Sequence, residues 1–394
     1  MKVKKTGVIS VFFVLICCLA QQSALAAISI VPAPPKVHAK SYLLVDAVSG
    51  QVLVEDNADQ ALPPASLTKL MTSYVLAYEM AQGNVKEDDT TTISKAAWAK
   101  NFPGSSLMWI EVGTQVSLGD LHRGLVISSG NDASVAIAEH LAGTEEAFAD
   151  SMNKHAEALG MSGTHYMNSH GLPDKDHYTT ARDLSILAKA VITSFPIEYA
   201  LYREREFTYN NIKQPNRNRL LWRDSSVDGL KTGHTEEAGY CLVASAKRDE
   251  MRLISVVMGA SSEESRTRET QKLLSYGFRF FETHKLYSGD EKVSDARVWG
   301  GTTEQVPLGV QEDIYLTLPK GKHSDLQVNF VIDEEIRAPV QTNERYGTLV
   351  VALADKTLTE KPLIALESVD QSGFFARSWD TIVMHTKSLI ASMF

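Results

Sequence analysis

The chain has 394 residues, of which 44% are hydrophobic and 22% are charged, so it is long enough for two globular domains and is not a disordered protein. Its formal net charge of −9 becomes −12 once the first 26 residues, which hold three lysines and no acid, are removed. This charge argues against nucleic acid as a partner. Two of the three cysteines lie in the same segment, so Cys241 is left without a partner for a disulfide or a cysteine-type zinc site.

The N-terminal segment is typical of a Sec signal peptide. It has three lysines at its start, an apolar run from Val8 to Ala20 and a small-x-small sequence at residues 24–26. The apolar run of thirteen residues is short for a membrane span, which needs about 20, although an uncleaved anchor is the alternative. We predict that residues 1–26 are a signal peptide, that residues 27–38 are a linker and that the protein is exported.

The next part of the chain carries strand and helix patterns in turn. Residues 41–57 predict a hairpin with its turn at Ser49 and Gly50. Pro63 and Pro64 then open a predicted helix. Its apolar face has helical period and consists of Leu67, Leu70, Met71, Tyr74, Val75 and Tyr78. Residues 117–190 are mainly helical by the same criterion.

Strand patterns return in the stretches GYCLVASAK and MRLISVVMGA, which face each other across a polar turn at residues 248–250. A helix is predicted at about residues 264–282. An order of strands, helices and strands predicts an α/β or α+β domain over residues 39–285, in which both ends of the domain contribute to one sheet.

From residue 286 the pattern changes to short alternating strands, which predict a small all-β domain over residues 286–372. Residues 373–394 place apolar side chains on one side of a helix, opposite Arg377, Asp380 and Lys387. A packing helix of a soluble domain is one interpretation. We favour an interfacial membrane anchor, because the helix is terminal and its charges argue against a span.

Ser66 and Lys69 form an S-x-x-K pair at the start of the predicted helix. Residues three apart lie on one helix face, so the amine of Lys69 can reach the hydroxyl group of Ser66 and make it a nucleophile. Alternatively, Ser66 is an ordinary residue of a first helical turn. The short pattern recurs at Ser151 and Lys154, so it is weak by itself.

Two further short motifs follow, S-G-N at residues 129–131 and K-T-G at residues 231–233. Each also suits a structural role, the first as a turn between helices and the second as the entry to a strand. The ordered set is much more specific than any member, because it resembles the set S-x-x-K, S-D-N and K-T-G of penicillin-binding proteins and class A β-lactamases, with Gly130 at the position where the β-lactamase pattern more often has Asp.

With these motifs the chain resembles the low-molecular-mass penicillin-binding proteins, the serine-type D-alanyl-D-alanine carboxypeptidases, along nearly its whole length. The stretches that carry the resemblance include SLTKLMTSYV, SGNDASVAIAEHLAG, NSHGLPDKDHYTTARDL and DGLKTGHTEEAGYCLVASA. The resemblance implies a penicillin-binding or β-lactamase-like transpeptidase domain of α/β (α+β) class, followed by the all-β domain and an amphipathic anchor. It implies removal of the terminal D-alanine from peptidoglycan pentapeptide through an acyl-enzyme.

The resemblance also implies a role for individual residues. Ser66 is the nucleophile, Lys69 is its base and Ser129 relays a proton. To act as a base Lys69 must be neutral, which burial and the like charge of Lys231 would promote by lowering its pKa. The other implied contacts are Asn131 with the substrate amide, Lys231, Thr232 and Gly233 with the scissile peptide and its carboxylate, Arg217 with that carboxylate, and the backbone N–H groups of Ser66 and His234 with the oxyanion.

Three alternatives remain open at this point. A class A-like β-lactamase would need a glutamate for deacylation, and no E-x-x-L-N segment lies between the second and third motifs. A DD-endopeptidase or transpeptidase could use the same acyl-enzyme, and a non-enzymatic cell-wall scaffold could use the same fold. Residues 100–115 are expected to form a loop beside the cleft, with mobility from the run Gly104-Ser105-Ser106.

The expected partners follow from these interpretations. They are peptidoglycan pentapeptide, β-lactam antibiotics and, through residues 374–394, the surface of the inner membrane. No cofactor and no metal are expected, because H-E-x-x-H, G-x-x-x-x-G-K and G-x-G-x-x-G are all missing from the sequence. The expected location is the periplasmic face of the inner membrane, with peripheral attachment.

Overall fold

The computed structural model describes residues 31–373. The predicted signal peptide and residues 374–394 of the predicted anchor lie outside the described residues. The described chain forms a mixed α/β unit and then an all-β unit, which confirms the predicted fold class.

The strands of the first unit are β1 (Ser41–Asp46), β2 (Val52–Asp56), β3 (Thr90–Thr92), β4 (Gln115–Ser117), β5 (Glu206–Tyr209), β6 (Ile212–Pro215), β7 (Val227–Thr235), β8 (Gly239–Arg248) and β9 (Met251–Ala260). Its helices are α1 (Lys69–Ala81), α2 (Leu118–Arg123), α3 (Asn131–Ala142), α4 (Glu145–Ala158), α5 (Ala181–Ser194), α6 (Pro196–Tyr199), α7 (Leu220–Arg223) and α8 (Glu263–Phe280). A 3₁₀ turn at Ala65–Thr68 precedes α1, and a π-helical turn at Gly124–Ser128 follows α2.

The central sheet has five strands in the order β2-β1-β9-β8-β7. All of its pairings are antiparallel, and strands from both ends of the unit meet in it, as predicted. Successive side chains of a strand point to opposite faces, so Leu43 packs with α1 and α5 while Leu44 packs with α8. Both leucines are fully buried, and each contributes on the order of 2 kcal/mol relative to an exposed position.

The helical region lies between β2 and β5, and its own apolar cluster joins α1, α2 and α3. Two residues of the predicted loop at 100–115, Met108 and Ile110, belong to this cluster and are fully buried. The loop is therefore held by the core at one end, and the Gly104-Ser105-Ser106 run lines a cleft.

The second unit is all-β, as predicted. Its strands are β10 (Phe281–Tyr287), β11 (Lys292–Trp299), β12 (Gln305–Gly309), β13 (Ile314–Pro319), β14 (Leu326–Ile332), β15 (Ile336–Arg337), β16 (Arg345–Leu353) and β17 (Lys356–Ala365). Six of them form a sheet in the order β14-β16-β17-β12-β11-β15, and β10 pairs with β13. The domain boundary predicted between residues 285 and 286 falls inside β10. This strand begins directly after the last residue of α8, so the helix and the strand meet at Phe280 and Phe281.

A buried carboxylate joins the two units. Asp46, at the end of β1, is fully buried and accepts hydrogen bonds from the hydroxyl groups of Thr283 and Thr317, the second at 2.9 Å. Its other oxygen accepts the backbone N–H of Val48 at 2.7 Å. These bonds connect the β1–β2 hairpin of the first unit to the paired strands β10 and β13 of the all-β unit.

Among residues 31–373, no single helix is long and apolar enough to cross a membrane. One pair bent by 109°, Ala181–Ser194 with Pro196–Arg203, has the length and composition. The first helix of that pair packs in the core of the mixed α/β unit, which accounts for its apolar residues.

Candidate active site

Ser66 lies in the 3₁₀ turn Ala65–Thr68, which we call the Ser66 turn. The predicted helix opening at Pro63 and Pro64 is thus a tighter turn, and the α-helix itself begins at Lys69. In a 3₁₀ turn, residues three apart are eclipsed, so the side chain of Lys69 stands directly beside that of Ser66. The Lys69 Nζ to Ser66 Oγ distance is 3.1 Å. The structure therefore brings the S-x-x-K pair together.

Lys69 is 1% exposed and has three oxygen neighbours. Its Nζ donates to the Asn131 side-chain oxygen at 2.7 Å and to the His170 carbonyl at 2.7 Å, and Ser66 Oγ is the third neighbour. A neutral amine has two N–H bonds and one lone pair. In the neutral form of Lys69 the two carbonyl-type oxygens can accept its two N–H bonds, and its lone pair can then accept the hydroxyl hydrogen of Ser66.

The charge state of Lys69 agrees with this arrangement. Burial lowers the pKa of Lys69 to about 7, and the positive charge of Arg217 acts in the same direction against the opposing effect of Asp132. Burial also lowers the pKa of Lys231 well below its ordinary value, with the positive charge of Lys69 as the next cause. Burial is the larger effect for both amines, and the like charge that acts on Lys69 is that of Arg217, whereas the expected effect of Lys231 on the pKa of Lys69 is not found.

The S-G-N motif lies where a helix changes direction. The π-helical turn at Gly124–Ser128 ends at Ser129, which has a left-handed φ of 62°, and Asn131 then starts α3. Both side chains line the same cleft as Ser66. Asn131 accepts from Lys69, and its amide nitrogen donates to Ser105 Oγ at 3.0 Å, so the motif also holds the loop at residues 100–115.

Lys231 belongs to strand β7 and closes the site from the other side. Its Nζ donates to Ser129 Oγ at 2.8 Å and to the Thr232 carbonyl at 3.2 Å. Lys231 is 2% exposed and Thr232 is 5% exposed. The second and third motifs are therefore in direct contact, and a chain of hydrogen-bonding groups runs from Ser129 to the sheet edge.

Gly233 allows β7 to approach the Ser66 turn. A Cβ atom at this position would lie 2.9 Å from the Pro64 carbonyl and 3.2 Å from the Leu67 nitrogen. Only glycine permits this spacing without a shift of backbone. In the sheet of described strands, β7 is an end strand, so its outer edge faces the cleft next to Ser66 and is available to an extended peptide.

The cleft has a volume of about 510 Å³. Seven of the nine predicted site residues line it, namely Ser66, Ser129, Asn131, Arg217, Thr232, Gly233 and His234. Lys69 and Lys231 lie behind them. Arg217 stands on the cleft wall, where its Nε donates to the Ser128 carbonyl at 3.2 Å. The second S-x-x-K pair lies within helix α4, and Ser151 is not among the residues that line the cleft.

Three residues at the site were not predicted from the sequence. The His170 carbonyl accepts from Lys69, and Arg266 on α8 donates to the Gly233 carbonyl at 3.1 Å. Asp132 accepts four backbone N–H bonds, of which three come from Met108, Trp109 and Ile110. Asp132 directly follows the S-G-N motif, and that position was the only local signal for it.

No group of three or more His, Cys, Asp or Glu side chains among residues 31–373 could hold a metal ion. Cys241, the cysteine in that range, is buried and free.

The family models match both units. Residues 28–262 match the family described as D-alanyl-D-alanine carboxypeptidase, and residues 281–371 match the penicillin-binding protein 5 C-terminal domain. The chain belongs to the D-alanyl-D-alanine carboxypeptidase family. It is a serine-type enzyme that removes the terminal D-alanine of peptidoglycan pentapeptide through an acyl-enzyme and is acylated by penicillins.

Individual relatives agree over nearly the full length. The chain is 46% identical over 360 residues to D-alanyl-D-alanine carboxypeptidase DacA of Escherichia coli strain K12, covering 90% of this chain and 89% of the relative. It also resembles the solved penicillin-binding protein 5 of Haemophilus influenzae, with a TM-score of 0.84, 43% identity and coverage of 86% of this chain and 100% of the other. A cefotaxime-bound penicillin-binding protein D2 of Listeria monocytogenes matches with a TM-score of 0.58, 30% identity and coverage of 63% and 100%. These matches favour the carboxypeptidase over the β-lactamase and over a non-enzymatic scaffold.

Proposed function

We propose that Ser66 is the nucleophile of this carboxypeptidase and that Lys69 is its general base. The observation that carries the proposal is the three-oxygen environment of Lys69 Nζ, which leaves a lone pair facing Ser66 Oγ. Ser66 Oγ attacks the carbonyl carbon of the scissile D-alanyl-D-alanine bond while its proton passes to Lys69. The resulting oxyanion is stabilised by the backbone N–H groups of Ser66 and His234.

Collapse of the tetrahedral intermediate breaks the peptide C–N bond and expels D-alanine. The leaving nitrogen needs a proton, which it takes from Ser129, whose Oγ is held by Lys231 at 2.8 Å. The proton that Lys69 took from Ser66 then replaces the one that Ser129 lost, so Lys69 is neutral again once the acyl-enzyme has formed. Water then attacks the Ser66 ester, releases the shortened peptide and returns the proton to Ser66. The same first step opens a β-lactam ring, in which the leaving nitrogen stays attached to the acyl group.

The substrate is held along the outer edge of β7. Thr232 and Gly233 stand at this edge, and Asn131 faces them across the cleft as a partner for the substrate amide. The terminal carboxylate of the pentapeptide is bound by Arg217, Thr232 and Lys231. An arginine fork suits this carboxylate because it can donate two parallel N–H bonds.

Penicillin labelling tests the choice of nucleophile. After incubation with penicillin and proteolysis, the adduct is expected on the peptide that contains Ser66, because Ser66 lines the cleft and its hydroxyl group lies 3.1 Å from the buried amine of Lys69. The Ser151→Ala variant is a matched control from the second S-x-x-K pair, and it is expected to label like the wild type. Label that persists in Ser66→Ala and disappears in Ser151→Ala would reverse the assignment.

The pH dependence of acylation tests the role of Lys69. The base works only when neutral, and the pKa of Lys69 is lowered to about 7, so acylation should slow as pH falls through 7. We expect the acylation rate constant at pH 6 to be about tenfold below its alkaline plateau. Stopped-flow measurements with a fluorescent penicillin would check this. A rate that is constant between about pH 6 and 9, or that rises only near pH 10, would contradict the proposal.

We propose further that the enzyme is exported by the signal peptide at residues 1–26 and works at the periplasmic face of the inner membrane. The mature charge of −12 repels anionic lipids, so the attraction must come from residues 374–394. The described chain leads into that segment from the all-β unit, where Ser372 donates its N–H to the Gly300 carbonyl at 2.9 Å. The all-β unit thus connects the anchor to the catalytic unit.

Deletion of residues 374–394 is expected to abolish binding to anionic lipid vesicles. The full-length mature protein should sediment with the vesicles at both low and high salt, because apolar burial dominates the binding of an amphipathic helix. Both forms should label equally with penicillin, which serves as the folding control. The proposal that residues 374–394 are the membrane anchor is wrong if the truncated protein still sediments with the vesicles or if salt alone releases the full-length form.

A further inference from the structure

The residue before the nucleophile has an unusual backbone conformation. Ala65 has a φ of 49°, in the left-handed region that non-glycine residues rarely adopt. Its carbonyl accepts the hydroxyl hydrogen of Thr68 at 2.8 Å, within the Ser66 turn. Thr68 is fully buried. The conformation that presents Ser66 is therefore closed by a bond from the other end of the same turn.

His177 is the next residue in this chain of bonds. Its Nδ1 accepts the backbone N–H of Met167 at 3.0 Å, so the ring hydrogen must lie on Nε2 in the neutral form. Nε2 is 2.8 Å from Thr68 Oγ1 and therefore donates to it. Thr68 Oγ1 thus accepts from His177 and donates to the Ala65 carbonyl, which sets the direction of every bond in the series.

The loop between α4 and α5, which contains His170, Gly171 and His177, packs against the Ala65 carbonyl. A Cβ atom on Gly171 would lie 1.9 Å from the Ala65 carbonyl oxygen and 2.8 Å from Thr68 Oγ1, and Gly171 has a φ of +88°. The neighbouring His170 supplies the carbonyl that accepts from Lys69. One loop therefore controls both the turn that presents the nucleophile and one of the acceptors that orient the base.

We propose that His177 is a positioning residue for acylation, which acts through Thr68 and the Ala65 carbonyl to hold Ser66 in line with Lys69. The inference rests on the proposed role of Ser66 as nucleophile. His177 does not line the cleft and is 4% exposed, so it has no part in substrate binding. Loss of His177 should therefore change the rate of acylation. It should leave the affinity for the substrate unchanged, because the residues that line the cleft bind the substrate.

The surroundings of His177 keep its imidazole neutral, as the series of hydrogen bonds from Met167 to the Ala65 carbonyl requires. Burial is the main cause that lowers its pKa to about 4, and the negative charge of Asp174 opposes this effect. The edge of Tyr166 packs against its ring, with the ring centroids 5.7 Å apart. A protonated ring would direct a second N–H at the N–H of Met167, so the folded site favours the neutral tautomer.

Two amide substitutions test the hydrogen bonds of the two imidazole nitrogen atoms one at a time. In His177→Gln the amide nitrogen can take the place of Nε2 and donate to Thr68, whereas in His177→Asn the amide oxygen can take the place of Nδ1 and accept from Met167. Each variant keeps one bond of the pair. The rate constant of acylation and the dissociation constant of the non-covalent complex are measured separately with a fluorescent penicillin.

We expect His177→Asn to lower the acylation rate constant by about tenfold or more, with a dissociation constant within about twofold of the wild type. His177→Gln should stay within about threefold in both quantities. In a second pair, Thr68→Val should reproduce the loss and Thr68→Ser should not, because only serine keeps the hydroxyl group. His165→Asn, on the same loop, is the control and should acylate normally.

The Thr68 pair decides the question if a His177 variant does not fold. The proposal is overturned if His177→Asn acylates at the wild-type rate, if both amides slow acylation equally, or if Thr68→Val acylates like Thr68→Ser. Mapping of the penicillin adduct in the wild type distinguishes this failure from failure of the proposed nucleophile. An adduct on Ser66 with unresponsive variants refutes only the role of His177.

Discussion

Lys69→Ala is expected to lower the acylation rate constant by about 10³–10⁴-fold, nearly as far as Ser66→Ala, because nucleophile and base act as one unit. In the folded protein Lys69 Nζ is the amine within 3.1 Å of Ser66 Oγ. Lys231 donates to Ser129 instead and cannot replace it. The loss should appear in the rate constant for penicillin acylation and in the kcat for release of D-alanine from pentapeptide.

The double variant gives the sharper test. Because the two residues act together, Ser66→Ala with Lys69→Ala should be no slower than Ser66→Ala alone. Lys154→Ala, from the S-x-x-K pair on the exposed side of α4, is the matched control and should keep full activity. Retention of more than about a tenth of the wild-type rate by Lys69→Ala would show that another group takes the proton.

Asp132→Asn is expected to destabilise the catalytic unit by about 2–4 kcal/mol, although Asp132 touches no reacting atom. Its two carboxylate oxygens accept the N–H groups of Met108, Trp109, Ile110 and Ala133 at 2.8–3.2 Å. An amide has only one oxygen, so its NH₂ group would face one pair of these donors. The melting temperature should fall by about 5–10 °C.

The same change should also slow acylation, because the bonds from Asp132 hold the loop whose Ser105 accepts from Asn131 at 3.0 Å. Circular dichroism melting and penicillin acylation measure the two effects on one preparation. Asp150→Asn, on the exposed side of α4, is the control and should change the melting temperature by less than about 2 °C. An unchanged melting temperature for Asp132→Asn would mean that these four bonds do not stabilise the loop.

Local sequence patterns predicted much of the fold. The hairpin at residues 41–57 and the strands β8 and β9 have β-rich runs and polar turns, and α8 at Glu263–Phe280 lies within two residues of its predicted range. The Ser66 turn was harder to predict. Two prolines indicate the start of a helix, but the left-handed φ of Ala65 and the 3₁₀ geometry depend on the packing of Gly171 and Gly233 against the turn.

The sequence by itself determined which residue types the site contains, because the S-x-x-K, S-G-N and K-T-G motifs are each local and occur in a specific order. The tertiary structure decided how they act. Lys69 reaches Asn131 across 62 positions and the His170 carbonyl across 101, and Lys231 reaches Ser129 across 102. Contacts at such separations depend on how the helices pack on the sheet. The burial that lowers the pKa of Lys69 exists only once that packing is complete, and no local pattern contains it.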